Sequence, residues 1–270
     1  MPSDSLRDVA GVDRVGPGRY VAHPTDNYTV VGRPNGGYLQ CVMASAALAE
    51  AIAQGSPHTH ALAVSTNYVN PPELAPVEAQ VDIRRIGKSA TFAHVTLSQN
   101  GAVTTESIVT LGVIGDRSEP RYTATSLPEL PERETLERLN APGIGIHSVL
   151  DMRLDPQTTG YARGELSTSA EFRGWLRLDD GDSSWTPWSL LFASDAFPPA
   201  TFPLGSSGWV PTLQLSSYIR RDPIGEWLRI RQWCTMIDDG VVDERCEIFD
   251  EAGYLVASAV QLALVRFPER

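Results

Sequence analysis

Asp195 stands where a helix would carry an apolar residue. In the stretch from Trp188 onward, Trp188, Leu191, Phe192 and Asp195 fall at i, i+3, i+4 and i+7, one face of a helix. A carboxylate drawn out of water has its pKa raised and can serve as a general base or nucleophile. The same position also suits an acid near a helix end that reaches water past Pro198. Gln261 breaks its pattern in the same way, on a strand face otherwise made of Leu255, Ala257, Ala259, Ala263 and Val265. A buried amide must be hydrogen-bonded; it can hold a water or a carbonyl, or it can satisfy a loop backbone. Thr212, at the start of its strand, adds a hydroxyl, though threonine is also common in strands for steric reasons. The glycine pair Gly36-Gly37 opens a helix and could offer backbone amides to a developing oxyanion, or could form a tight turn and no more.

The elements that must position these groups occur twice. An Ala-rich helix is expected from Gly37 to Ala53, capped by Asn35, followed by the strand Leu62–Tyr68 and then Pro71-Pro72. Alternating runs around Val81 and Ile83, Ala93 to Leu97, and Val103 to Val113 complete the first set. The second set has a helix from Trp188 to Phe197 between Thr186-Pro187 and Pro198-Pro199, then Leu213–Tyr218 and Pro223. Strands Trp227–Trp233, Val241–Phe249 and Tyr254–Val265 close the chain, the last apolar on both faces and so expected in mid-sheet. Tyr68 and Tyr218, Pro72 and Pro223, and Gly101 and Gly253 correspond at offsets of 150, 151 and 152, which is the signature of one structural unit used twice. Earlier strands are expected at Tyr20–His23 and Asn27–Val31, paired across a Pro24–Asp26 turn. Val149–Leu154 and Gly164–Arg177 open the second unit, and residues 1 to about 16 read as a loose lead-in. One helix and several antiparallel strands, repeated, make an α+β chain. Its units are 16–115 and 145–268, joined by a Pro-rich linker, 116–144, with room for a short helix at Glu132–Leu139.

Composition excludes several function classes. The chain has 270 residues, 42% hydrophobic and 20% charged, with a net charge of −11 and one lysine, Lys88. Without a basic run, general nucleic-acid binding is not expected. No window approaches ~18 uninterrupted apolar residues, so no membrane span is expected. Cys41, Cys234 and Cys246 form an odd, unpatterned set that points to a reducing cytoplasm rather than a disulfide or zinc framework. Phosphate-loop, dinucleotide, nucleophile-elbow and metal-ligand patterns are missing, and His23, His58, His60, His94 and His147 are scattered. No metal or other cofactor is expected.

These residues and their order resemble the bacterial acyl-CoA thioesterase II (TesB-like) family, with its double hot-dog fold, from about Tyr20 to Arg266. Leu191-Phe192-Ala193-Ser194-Asp195-Ala196-Phe197-Pro198 is similar to the family's helix segment with its catalytic aspartate. Pro211-Thr212-Leu213 falls where the family has a catalytic threonine, and Val256-Ala257-Ser258-Ala259-Val260-Gln261 resembles its closing strand and catalytic glutamine. Gly36-Gly37 resembles the paired glycines of its first helix. The chain departs from the family at Gln214-Leu215, where an acidic–histidine pair is usual. It departs again at Arg220-Arg221-Asp222-Pro223, in place of His-Arg-Pro, and in the first half's histidine-rich strand, which keeps only His60.

The resemblance implies that Asp195, Thr212 and Gln261 orient and activate a water for attack on an acyl-CoA thioester, with Gly36 and Gly37 near the carbonyl. Coenzyme A is polyanionic and the chain acidic, so Arg84, Arg85 and Lys88, with Arg220 and Arg221, are candidate contacts. Self-association is also implied. Two alternatives stand beside hydrolysis. One is a hot-dog hydratase or dehydratase, which would want an Asp–His pair; the other is an acyl-CoA or acyl-carrier binding protein without turnover.

Overall fold

Alternating strands cover only one face of a sheet, and each half of the chain supplies one helix to bury that face. A computed structural model describes residues 5–115, 119–181 and 184–268. It begins with α1 (Leu6–Val9), β1 (Asp13–Gly16), β2 (Arg19–Ala22), a small hairpin β3 (Thr29–Val30) and β4 (Arg33–Pro34), and α2 (Gly36–Ala53). Next come β5 (His60–Tyr68), β6 (Val77–Ile86), β7 (Thr91–Gln99) and β8 (Ala102–Gly112). The second half holds β9 (Leu150–Leu154), β10 (Glu171–Leu178), α3 (Leu190–Ala193), β11 (Thr212–Ile219), β12 (Trp227–Asp238), β13 (Val241–Phe249) and β14 (Leu255–Leu264).

Twelve strands form one antiparallel sheet in the order β1-β2-β6-β7-β8-β5-β11-β14-β13-β12-β10-β9. The order is a palindrome of one unit. From the seam outward, β5, β8, β7 and β6 match β11, β14, β13 and β12, and α2 matches α3. Gly101 and Gly253 close equivalent hairpins with φ of 77° and 86°, a backbone region that favours glycine. This is the double hot-dog fold. The expected position of the last strand holds, since β14 lies between β11 and β13. Its outer residues Val260, Leu262 and Leu264 nevertheless remain 40% exposed.

Several expected elements differ. Residues 1–4 of the lead-in lie outside the described residues; from Ser5 on it is ordered, with Leu6, Val9 and Ala10 buried, Leu6 N–H donating to Asp180, and β1 paired with β2. Tyr20 and Thr29 do not share a hairpin; β2 pairs with β6, and β3 folds back on β4 through Val31 and Gly32 at positive φ. The Trp188–Phe197 helix shrinks to one α-helical turn continued by i→i+3 bonds. Pro187 and Pro198 bound it, and the Ser194 hydroxyl back-bonds to the Leu191 carbonyl at 2.8 Å. Strand pairing in Gly164–Arg177 starts only at Glu171.

Residues 116–118 of the linker lie outside the described residues, and Glu132–Leu139 makes only a 3₁₀ turn, Arg133–Thr135. That turn is fastened to the outer face of the second unit. Arg133 lies over Trp175 and Trp227, Trp175 donates to the Pro131 carbonyl at 3.0 Å, and Leu136 packs with both tryptophans.

Helix α2 is long and apolar enough by composition to cross a membrane, yet 67% of it is buried inside the fold, wrapped by the sheet. It also holds the seam. Fully buried Gln40 donates to the Leu215 carbonyl of β11 at 3.0 Å and to the Thr66 hydroxyl of β5 at 3.1 Å, and accepts from Ser217 at 2.8 Å. Gln40→Leu keeps the volume but takes its amide from the Leu215 carbonyl and leaves Ser217 only the Ser194 hydroxyl at 2.9 Å. It should cost about 1–3 kcal/mol in urea unfolding, with the fold retained.

Candidate functional site

The first turn of α2 leaves backbone N–H groups without helical partners, and its two glycines let another segment come close. The segment that arrives is α3. A Cβ on Gly37 would lie 2.7 Å from the Leu191 carbonyl and 2.9 Å from that of Phe192; one on Gly36 would lie 2.7 Å from the Asp195 carboxylate. Asp195 Oδ2 accepts from Gly37 N–H at 3.0 Å and from Asn35 Nδ2 at 3.1 Å, with a further bond from the Gly36 amide. Asn35 also donates to the Asp195 carbonyl at 2.9 Å while its own Oδ1 caps Tyr38 N–H. Tyr68, at the end of β5, donates to the Gly36 carbonyl at 2.8 Å.

The glycine amides therefore serve the carboxylate and do not stand open for an oxyanion. Burial pushes the Asp195 carboxyl up to about 6, against the pull of those amides and Asn35. Of the two readings of this acid, a half-buried carboxylate on a helix N-terminus replaces the helix-end acid in water.

Thr212 opens β11 beside a bulge, and its hydroxyl donates to Gln261 Oε1 at 3.3 Å from the neighbouring strand β14. Asp195 lies just past the end of α3, and Ser194 before it lines the same small cavity as Gln261; among the described residues no hydrogen bond joins Asp195 directly to Thr212 or Gln261. Sequence reasoning overlooked Glu244. It lies on β13 opposite Gln261, buried, and accepts from Gln261 Nε2 at 2.6 Å, Gln232 Nε2 at 3.2 Å and Ala200 N–H at 2.8 Å. Burial pushes Glu244 up to about 7, with Asp195's charge adding to the rise and its donors opposing it. The signal was present: Val242, Glu244, Cys246 and Ile248 alternate as an inward face, so the rule that singled out Gln261 also singles out Glu244.

The basic residues lie elsewhere. By register, Arg85 aligns through Phe92 and Thr110 with Ala63, five residues from Tyr68, and Arg220 is eight residues beyond Thr212. At ~3.3 Å per residue this puts them roughly 15–25 Å along the sheet from the site. Arg84 pairs with Asp82 at 3.0 Å, and Arg221 lies over Tyr254 at 4.3 Å. Lys88, on the β6–β7 hairpin, shares the remote end. No histidine is a hydrogen-bond partner of Asp195, and among the described residues no three His, Cys, Asp or Glu groups gather as a metal site needs.

Because the folded state keeps Asp195 protonated up to about 6 while the unfolded chain ionises near 3.8, its charge costs stability progressively as pH rises between those values. Asp195→Asn should leave stability nearly unchanged at pH 4 and raise it by at most ~3 kcal/mol above pH 7. Thermal melts across pH check this.

Residues 24–112 match the family described as acyl-CoA thioesterase N-terminal domain, and residues 124–265 match its C-terminal domain. The chain is 26% identical over 259 residues to the uncharacterized protein Rv0499 of Mycobacterium tuberculosis, covering 89% of this chain and 88% of that one. A solved structure assigned as a thioesterase II, from Thermobifida fusca, is 30% identical with a TM-score of 0.89, covering 98% of this chain and 99% of that one. A hot-dog protein of unknown function from Alicyclobacillus acidocaldarius is 20% identical with a TM-score of 0.81, covering 98% of each. With both domains matched in order over most of its length, the chain belongs to the acyl-CoA thioesterase family.

Proposed function

We propose that the chain hydrolyses acyl-CoA thioesters by general-base activation of water, with Asp195 as the base and Thr212 and Gln261 as the groups that together orient the water. The observation that carries this reading is the Asp195 carboxylate, held by helix amides and raised to about 6, with its neighbour Ser194 lining the same small cavity as Gln261. Asp195 takes a proton from water as the water oxygen bonds to the thioester carbon. The tetrahedral intermediate then breaks its C–S bond, and the departing coenzyme A thiolate needs no strong acid. The proton on Asp195 returns to solvent or thiolate, which restores the base.

A hydratase or dehydratase would want an imidazole beside the acid, and the partners of Asp195 are Asn35, Gly36 and Gly37. A binding protein without turnover would need no raised carboxylate. Three free thiols, two of them buried, support a reducing, cytoplasmic setting. Self-association is supported by the outer face of the central strands. There Val260, Leu262 and Leu264 of β14 are each 40% exposed. Light scattering should report a mass above 29.4 kDa, and a lone monomer at micromolar concentration would sink this part.

Asp195→Asn keeps the shape but cannot accept the proton. It should lower kcat by about 10²–10⁴-fold with the fold intact, as read by thiol release from a panel of acyl-CoAs. Wild-type kcat/KM should rise with pH and level off above about 6, as Asp195 loses its proton. Unaltered turnover in Asp195→Asn would exclude it as the base.

A further inference from the structure

This inference rests on the hydrolytic reading of Asp195, Thr212 and Gln261. Glu244 is 2% exposed, and all three groups that meet its carboxylate donate: Ala200 N–H to Oε1, and Gln232 and Gln261 Nε2 to Oε2. Such surroundings suit an acceptor-only group, and a leucine would fill the same volume without the cost of a buried acid. The position therefore asks for an explanation beyond packing.

The two ends of a primary amide are alike in shape and opposite in hydrogen-bonding sense. Unrestrained, Gln261 could turn either end to Thr212. Glu244 takes the Nε2 end at 2.6 Å, which leaves Oε1 to accept the Thr212 hydroxyl proton at 3.3 Å. With that proton committed, Thr212 Oγ1 can only accept from a water. A water that gives one hydrogen to Thr212 and the other to Asp195 keeps a lone pair for the thioester carbon. With the amide reversed, Nε2 would donate to Thr212, the hydroxyl would donate to the water, and one of the water's two lone pairs would be engaged, lowering its nucleophilicity and leaving one of its hydrogens unheld.

We infer that Glu244 is a positioning residue for thioester hydrolysis, fixing the Gln261 amide in the sense that turns the lone pair of the water toward substrate. Its second oxygen adds a mechanical link. By holding Ala200 N–H, Glu244 ties Gln261 to the segment that follows Asp195, and Gln232 reinforces that tie by donating to the Pro198 carbonyl at 3.1 Å. The cavity beside Gln261 measures about 10 Å³, space for roughly one water, so the amide has little room to choose another partner.

A double-mutant cycle tests this, with kcat, KM and melting temperature measured for wild type, Glu244→Gln, Gln261→Ala and the pair, on whichever acyl-CoA the wild type hydrolyses. Glu244→Gln places an amide among donors and should lower kcat about 10–100-fold while KM stays within about threefold. Added to Gln261→Ala, it should lower kcat by less than about twofold further, because the amide it orients is gone. Glu244→Leu carries the same cycle if the glutamine variant does not fold. Folded variants with unchanged kcat, or losses that multiply in the pair, overturn the inference, as does failure of both variants to fold, which would make Glu244 purely structural. A wild type that releases no thiol from any acyl-CoA counts instead against the thioesterase reading itself.

Discussion

A strand with a free edge is an unpaired row of N–H and C=O groups, and in this chain β5 and β11 cover each other's edges. Everything else follows from that seam. It turns two six-stranded sheets into one, sets α2 and α3 side by side over its middle, and brings the amino end of one helix against the carboxyl end of the other. Gln40 spans the seam from above, with bonds to residues of both strands. Gly37 permits the close helix contact because any side chain there would strike two α3 carbonyls. The Asp195 carboxylate is a product of this arrangement: its position comes from the second half of the chain and its electrostatic environment from the first.

Much of the fold could be read from residue order. Period-two runs gave most of the strands, and the constant spacing between Tyr68 and Tyr218 or Gly101 and Gly253 gave the duplication. These signals survive because the sheet must bury one face and its tight turns favour glycine. What misled were the segments whose structure is dictated by distant partners. Leu6 and Val9 form too short an apolar run to announce burial, and they are ordered because the body of the fold covers them. The α3 region has a good helical stripe, but two prolines and a back-bonding serine hold it to one turn.

At the site, Asp195, Thr212 and Gln261 were visible because each departs from an apolar or positional pattern. Glu244 and Gln232 depart from theirs too, on β13 and β12, but a glutamate on a strand of alternating charge draws little notice until its face is known. The basic clusters are a separate case. Charge is legible in sequence, whereas the strand end on which it finishes depends on register.

The palindrome of strands carries an asymmetry in its side chains. Glu244 faces Gln261 across β13 and β14; at the mirror-related place in the first unit, Ala93 faces Val109 across β7 and β8. Both of those residues are buried in the main core. One copy of the unit keeps a buried polar pair at this address, and the other has filled the address with hydrocarbon. The tandem arrangement is what allows this division of labour. In an assembly of two identical single units, any buried acid would appear twice and its burden on stability would be doubled. Here the cost of burying this acid is borne once, because the first unit has hydrocarbon at the matching address.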